Sequence, residues 1–298
     1  MNEEILDCYL QAGKIAANAR EYGLTLIKPQ VTLLEVAAKV EERIVDGGAG
    51  IAFPVNISIN DLAAHYSPIE GDNKVFSKGD VVKLDVGAHI NGYIADTAKT
   101  IAVETHKHDQ LIDASHEALQ KAIDILKANQ PLSSIGEIVQ KTITKKGFQP
   151  IENLTGHSLE QYNLHSGLSV PNVPTQSTEA PQVDDVIAIE PFATTGAGYV
   201  IAGQGSNIYR LTGSLRTRFV REQRARMVLM KMNKQFKTLP FAQRWCTDFS
   251  KNIDATLKRL TLLGALKHYP QLVEKRHGLV SQCEHTVIVN EDGCEVTT

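Results

Sequence analysis

Cysteine is scarce in this chain. Its four cysteines, Cys8, Cys246, Cys283 and Cys294, show no CxxC spacing, so neither a zinc knot nor a disulfide framework is indicated. Reduced thiols in a cytoplasmic protein are the simplest expectation. No apolar run approaches the roughly 20 residues of a membrane span. The opening Met-Asn-Glu-Glu also lacks the basic and apolar regions of a signal peptide, so no membrane partner is expected. What is present is an ordinary composition over 298 residues, 42% hydrophobic and 22% charged, long enough to bury a large core.

The net charge of −3 hides an asymmetry. Arg210 to Arg276 holds 16 of the 31 basic residues and only four acidic ones, Glu222, Asp248, Asp254 and Glu274. That stretch is about +12, which leaves about −15 for the remainder. It reads as a separate unit with helices at about 216–235, 239–251 and 253–265.

The most informative segment is Val81-Val-Lys-Leu-Asp-Val-Gly-Ala-His-Ile-Asn-Gly-Tyr-Ile-Ala-Asp96. Val81 to Val86 reads as strand, Asn91-Gly92 is a two-residue hairpin signal, and a second strand runs to Val103. With Asn91-Gly92 as the turn, Asp85 faces Ala98 and Asp96 lies one pair along on the same face. Centring the loop one residue earlier makes the two aspartates direct partners. Either register puts two carboxylates side by side, which requires a cation or a shared proton. A pair of divalent metals suits them.

A faint repeat organises the rest. Pro29-Gln-Val-Thr-Leu-Leu-Glu returns as Pro131-Leu-Ser-Ser-Ile-Gly-Glu. Thr32 with Glu35, and Ser134 with Glu137, have capping-box spacing. Each copy follows another helical segment, about 3–25 and 109–128, and precedes strands. Two similar α+β halves are expected, about 1–106 and 107–298, with a site between their sheets. The basic unit, about 207–278, interrupts the second half.

Glu190 ends the apolar strand Val186-Ile-Ala-Ile, and Glu284 interrupts a strand that turns apolar after Thr286. Carboxylates in such places are costly unless paired, hydrogen-bonded or metal-bound. With Asp85, Asp96 and His157 they make four carboxylates and one imidazole, a set suited to Mn, Fe, Co or Zn as divalent ions. The absence of thiolate ligands argues against structural zinc.

The strings Asp85-Val-Gly, Asp96-Thr, Thr155-Gly-His157-Ser, Ile189-Glu190-Pro191-Phe and Glu284-His285-Thr resemble the two-metal aminopeptidases and prolidases of the pita-bread fold. The closer resemblance is to the type 2 methionine aminopeptidase family in its archaeal form. Phe53-Pro-Val-Asn-Ile-Ser-Ile-Asn-Asp-Leu-Ala-Ala-His65-Tyr-Ser-Pro resembles that family's segment before the first metal strand. The insertion between the two glutamates is its hallmark. The resemblance covers essentially the whole chain, which lacks the long charged extension of the eukaryotic type 2 enzymes. It implies an α+β, pseudo-symmetric, creatinase/aminopeptidase-like fold with a helical, winged-helix-like insertion, whose strand-like stretch is Gly278-Leu-Val-Ser.

The resemblance also implies roles. Asp85 would chelate one of two divalent ions, Asp96 and Glu284 would bridge both, and His157 with Glu190 would complete the other. Glu190 would also pass a proton from the attacking water. His65 and His165 match two histidines that line the substrate site without binding metal. Phe53 and Leu164 are candidates for the methionine pocket, with Tyr269 a weaker one. Asn207 stands where type 2 enzymes often carry histidine, which puts that part of the pocket in doubt. His89, His106, His108, His116, His268 and His277 read as surface or packing residues, and His285 as pointing away from Glu284.

The implied activity is removal of the N-terminal initiator methionine from nascent polypeptides when the second residue is small. The alternatives are a proline-specific aminopeptidase or prolidase, and an inactive ribosome- or RNA-binding relative. Prolidases usually carry an extra domain before the catalytic part, and only 84 residues precede Asp85 here. A monomer is the default expectation. The basic insertion reads either as a solvated face or as a unit that Arg216, Arg218, Arg221 and Arg224 hold near the ribosome.

Overall fold

The computed structural model describes residues 1–213, 220 and 222–298. Helices α1 (Glu3–Leu26) and α2 (Leu33–Asp46) precede strands β1 (Gly50–Ile59), β2 (Leu62–Ala64), β3 (Val81–Ile90) and β4 (Tyr93–Ala102). A second helix pair, α3 (Asp109–Ile125) and α4 (Ser133–Lys145), leads into β5 (Gln149–Pro150), β6 (Thr155–Leu159), β7 (Ser169–Pro171), β8 (Val186–Ile189) and β9 (Phe192–Thr194). Then come β10 (Val200–Leu211), α5 (Gln223–Phe236), β11 (Phe241–Ala242), a 3₁₀ segment at Gln243–Phe249 and α6 (Ile253–Leu262). The chain closes with β12 (Leu266–Glu274), β13 (Val280–Val289) and β14 (Cys294–Val296). Among the described residues no helix is long and apolar enough to cross a membrane.

The first helices start where their caps dictate. Asn2 accepts from Ile5 N at 2.8 Å, with Glu3 and Glu4 in the first turn of α1, where the helix dipole favours them. Thr32 accepts from Glu35 N at 3.1 Å and opens α2. The second expected capping box does not form. Leu132 is the N-cap of α4, and the Ser134 hydroxyl donates to Pro131 O at 2.8 Å instead of receiving Glu137 N–H. The chain turns helical immediately after Pro131, so Ser134 is already inside the helix.

The main sheet runs β1-β3-β4-β13-β8-β6-β7, with β14 and β9 also paired to β13. Period-two alternation then divides each strand between two faces. Val82, Leu84 and Val86 of β3 join α1 and α2 in one core, while Cys283, Val287 and Val289 of β13 join α3 and α4 in another. The opposite face of the same strands displays Asp85, Asp96 and Glu284. Burying both helix pairs on one side thus leaves the polar side chains on the other.

The hairpin takes the register set by Asn91-Gly92: Asp85 pairs with Ala98 and Gly87 with Asp96. Asn91 and Gly92 have φ of 53° and 90°, the left-handed pair that a type I′ turn needs. Placing the turn there excludes the alternative in which the aspartates face each other directly.

The basic segment contains more strand than its sequence suggests. Helix α5 begins at Gln223, and the expected helix at 239–251 is instead β11 and the 3₁₀ segment. Strands β11, β10, β12 and β2 form a four-stranded sheet. The strand expected at Gly278-Leu-Val-Ser lies earlier, in β12, and Val280 already belongs to β13. Met232, Phe236, Phe241, Cys246 and Leu257 form a separate apolar core. Arg216, Arg218 and Arg221 lie outside the described residues, and Arg224 lies on α5.

Candidate metal centre and substrate cleft

Three neighbouring strands bring the carboxylates together. Asp85 of β3 pairs with Ala98 of β4, and Ala98 pairs in turn with Glu284 of β13. The methyl group of Ala98 therefore separates two carboxylates in one line across the sheet. Asp96 lies two residues along the same face. Strand β8 delivers Glu190 one residue past its end, and β6 delivers His157, paired with Ala188.

Strand β13 meets β4 through only two residue pairs, Cys283 with Lys99 and Glu284 with Ala98. Threonine hydroxyls extend the contact on either side. Thr100 Oγ1 accepts from Gln282 N at 2.8 Å and donates to Gln282 O at 2.7 Å. Thr286 Oγ1 treats the backbone of Asp96 the same way, at 2.8 Å each. Each side chain replaces two ladder bonds where the strands part. The two backbones are thereby held at the spacing that sets Asp96 beside Glu284.

The resulting cleft, about 530 Å³, is lined by Asp85, Asp96, His157, Glu190 and Glu284, by His65 and His165, and by Phe53, Leu164 and Tyr269. All ten residues singled out from the sequence thus share one cavity. His157 Nε2 lies 3.7 Å from both Asp96 Oδ2 and Glu190 Oε1. Ligand atoms of Asp96, His157 and Glu284 all fall within 4.8 Å of one another.

The electrostatics of this acid cluster are unfavourable. Among the described residues no lysine or arginine lines the cavity. Lys83, two residues before Asp85, gives its ammonium to Asn60 O at 3.0 Å and Val280 O at 2.9 Å. Asp85 Oδ1 and Asp96 Oδ1 are buried without a hydrogen-bond partner. Burial lifts the Asp85 carboxyl to about 7. Burial, then the neighbouring carboxylates, holds Asp96 and Glu284 well above the usual range, and Glu190 rises through burial and Asp85. Two such charges 4 Å apart repel by about 4 kcal/mol at an effective dielectric of about 20. Orphaned oxygens, four acids and one imidazole make a donor set that fits hard or borderline divalent cations.

The histidines are electrically silent near neutrality. Desolvation, and then the His165 ring, lowers His157 to about 3. His65 and His165 are each lowered to about 4, chiefly by burial. His157 and His165 have ring centroids 4.3 Å apart. His65 adopts φ +62° and its Nδ1 is buried without a partner. A non-glycine residue in that region stores strain, and here it sets the ring edge-on against Tyr269, 5.3 Å between centroids.

The apolar wall depends on a break in β1. Register shifts fall on either side of Phe53, between Ile51 and Phe53 and between Phe53 and Asn56, where Pro54 has no N–H for the ladder. Gly87 lies beneath the Phe53 ring, and a Cβ there would stand 2.2 Å from it. Asn56, Ala64, Ile208, Pro240 and Gln282 also line the cleft and went unread in the sequence. Gln282 Nε2 donates to Glu284 Oε2 at 3.0 Å and meets Glu190 Oε2 at 3.5 Å. Its signal was available: Gln282, Glu284 and Thr286 alternate along one strand. Asn207 gives its amide to Ser67 O at 2.9 Å and leaves the wall to Ile208. His285 faces elsewhere, toward Thr298 at 2.8 Å.

Comparison with known proteins places this geometry in context. Residues 7–291 match the metallopeptidase family M24. The methionine aminopeptidase of Pyrococcus abyssi is 46% identical over 297 residues, covering 98% of this chain and 99% of that protein. Among solved structures, that of a thermophilic Arx1 covers all of this chain and 91% of its own at a TM-score of 0.88, with 15% identity. The methionine aminopeptidase of Thermotoga maritima follows at 0.73, with 22% identity and coverage of 100% and 98%. These two structural likenesses concern the fold.

Proposed function

The chain belongs to metallopeptidase family M24 and within it to the methionine aminopeptidases, and we propose that it removes the initiator methionine from nascent polypeptides whose second residue is small. The observation that carries this reading is the cluster of four carboxylates, Asp96 and Glu284 buried and Asp85 and Glu190 half-buried, with no lysine or arginine among them in the described residues, in a cleft with an apolar wall.

Asp85, Asp96, His157, Glu190 and Glu284 would hold the divalent ions. When bound, such ions bring the pKa of a water molecule toward neutrality and polarise the scissile carbonyl. Glu190 takes a proton from the attacking water and returns it to the leaving amine. Gln282 holds the Glu284 and Glu190 carboxylates in orientation. His65 and His165, neutral at pH 7 because burial lowers both to about 4, hydrogen-bond the substrate carbonyl as its charge develops. Such a contact is worth about 3–4 kcal/mol in other hydrolases. The methionine side chain rests on Phe53, Leu164 and Tyr269, with Ile208 and Pro240 completing the wall.

The same proposal takes residues 1–106 and 107–298 as similar halves of one catalytic domain, with 207–278 inserted. It includes a monomeric, cytoplasmic enzyme whose basic insertion approaches the ribosome. The test is a peptide series, Met-Gly, Met-Ala, Met-Val, Met-Leu and Met-Lys, with each candidate metal. Rates should fall as the second residue grows, because a bulky side chain crowds the carboxylate cluster. Preference for Xaa-Pro over all of these would transfer the chain to a proline-specific activity.

A further inference from the structure

The cleft continues outward beyond the site just described. A second cavity of about 660 Å³ shares Leu164, His165 and Tyr269 with the inner one and adds Arg210 and Lys267. These two cations stand on adjacent strands. Arg210 of β10 pairs directly with Lys267 of β12, so their Cβ atoms are about 4.5–5.5 Å apart. Like charges directly opposite on neighbouring strands are destabilising. Among the described residues neither has an ion-pair partner. Arg210 is half-buried and Lys267 exposed, so both are presented to whatever fills the outer cavity. Their field reaches inward: after burial, Arg210 and Lys267 are what lower His165.

The inner carboxylates do not account for this pair, since they line the inner cavity, which neither Arg210 nor Lys267 reaches. On the aminopeptidase reading, the inner end of the cleft is closed over the methionine, and the rest of the peptide leaves past His165 and Tyr269. We propose that Arg210 and Lys267 form a subsite for a carboxylate on the peptide segment that follows the cleaved bond. The source is either an acidic side chain or the free terminal carboxylate of a short peptide. The guanidinium offers a planar fork to the two oxygens, and the ammonium supplies a second charge from the facing strand. Binding there relieves the like-charge pair and orients the leaving segment.

This inference rests on the aminopeptidase reading, and its test keeps the two apart. Metal-loaded enzyme is assayed on Met-Ala-Ser-Gly amide and on versions with Asp or Lys in the third or fourth position. Met-Ala-Ser as free acid and as amide separates the terminal carboxylate from a side chain. The expected kcat/KM is about five- to tenfold higher for the Asp than for the Lys peptide at low salt, and the ratio shrinks as salt rises. Arg210→Gln with Lys267→Gln should erase the ratio, Arg210→Glu with Lys267→Glu should invert it, and Arg210→Lys should retain it. Equal rates in the wild type, or a ratio that survives the double glutamine variant, would overturn the subsite. So would ribosome co-sedimentation lost in the variants with the peptide ratio unchanged, since the pair would then serve nucleic-acid phosphates. If metal-loaded wild type fails to cleave the neutral amide, the aminopeptidase reading itself falls and takes this inference with it.

Discussion

Glu41 and Asp96 are both buried carboxylates, 7% and 4% exposed, yet their surroundings are opposite. Glu41 Oε1 is paired with Arg244 and accepts Val55 N–H at 3.2 Å, while Oε2 accepts Trp245 Nε1–H at 2.9 Å. Arg244 in turn donates to Ser67 Oγ at 2.7 Å and Pro68 O at 2.9 Å. Every strong group has a protein partner, and the network fixes the break in β1 that aims Phe53 and Asn56 into the cleft. Asp96 is surrounded by other acids and keeps one oxygen without a partner. The difference teaches what a buried charge is for. Where the protein supplies the countercharge, the acid is architecture; where it withholds it, the countercharge comes from outside.

The largest expected effect lies on the withheld side. Asp96→Ala or Glu284→Ala should lower metal content and cut kcat/KM by about 10³-fold or more, the several kcal/mol of metal-supplied charge stabilisation at 1.36 kcal/mol per tenfold. Metal analysis and peptide kinetics on the same preparation check this.

Stability should then separate the two acids by sign. Glu41→Gln leaves Arg244 buried and uncompensated, a loss of about 3–5 kcal/mol in denaturant unfolding. Asp96→Asn in metal-free protein removes the cost of burying an acid beside other acids and should raise the unfolding midpoint near neutrality. If both variants destabilise metal-free protein alike, the contrast between the two sites is false.

His165→Ala comes next. It should lower kcat/KM by about 10²–10³-fold, as for loss of an oxyanion donor, with metal content intact. Departure of the metal would move His165 into the ligand set.

Glu274 offers the smallest and most graded test. Burial alone would raise its pKa, but backbone N–H groups of Gly278 at 2.9 Å, Arg276 at 2.7 Å and Ala197 outweigh it and hold the carboxyl below its usual range. The stability it contributes is therefore present above the unfolded carboxyl's pKa and lost as pH falls through the lower folded value. Glu274→Gln should cost about 1.5–3 kcal/mol near neutrality and flatten the acid limb of a stability-versus-pH curve. An unchanged limb would remove Glu274 from the account.

Parts of this design are legible in the sequence for physical reasons. Asn91-Gly92 sets its hairpin locally, and the register of Asp85 and Asp96 follows from two left-handed residues. Thr32 starts α2 by the same kind of short-range chemistry. Ser134 shows the limit of such rules, because the turn made by Pro131 and Leu132 pre-empts its cap. Gln282, Thr100 and Thr286 act across elements far apart in the chain, so their spacing alone does not reveal their partners. Strands β10 and β12 were obscured for a related reason. Gly203 and Gly205 and the register shifts around them break the alternation that marks a strand, and the pairing with β2 is non-local.

The most direct test of the central claim is a titration of metal-free protein with Mn²⁺ or Co²⁺, following bound ions, thermal midpoint and cleavage of Met-Ala-Ser together. The account predicts two ions per chain, a midpoint that rises as they bind, and activity that appears only with them. A protein that binds no ion and cleaves the peptide fully in chelator would contradict it.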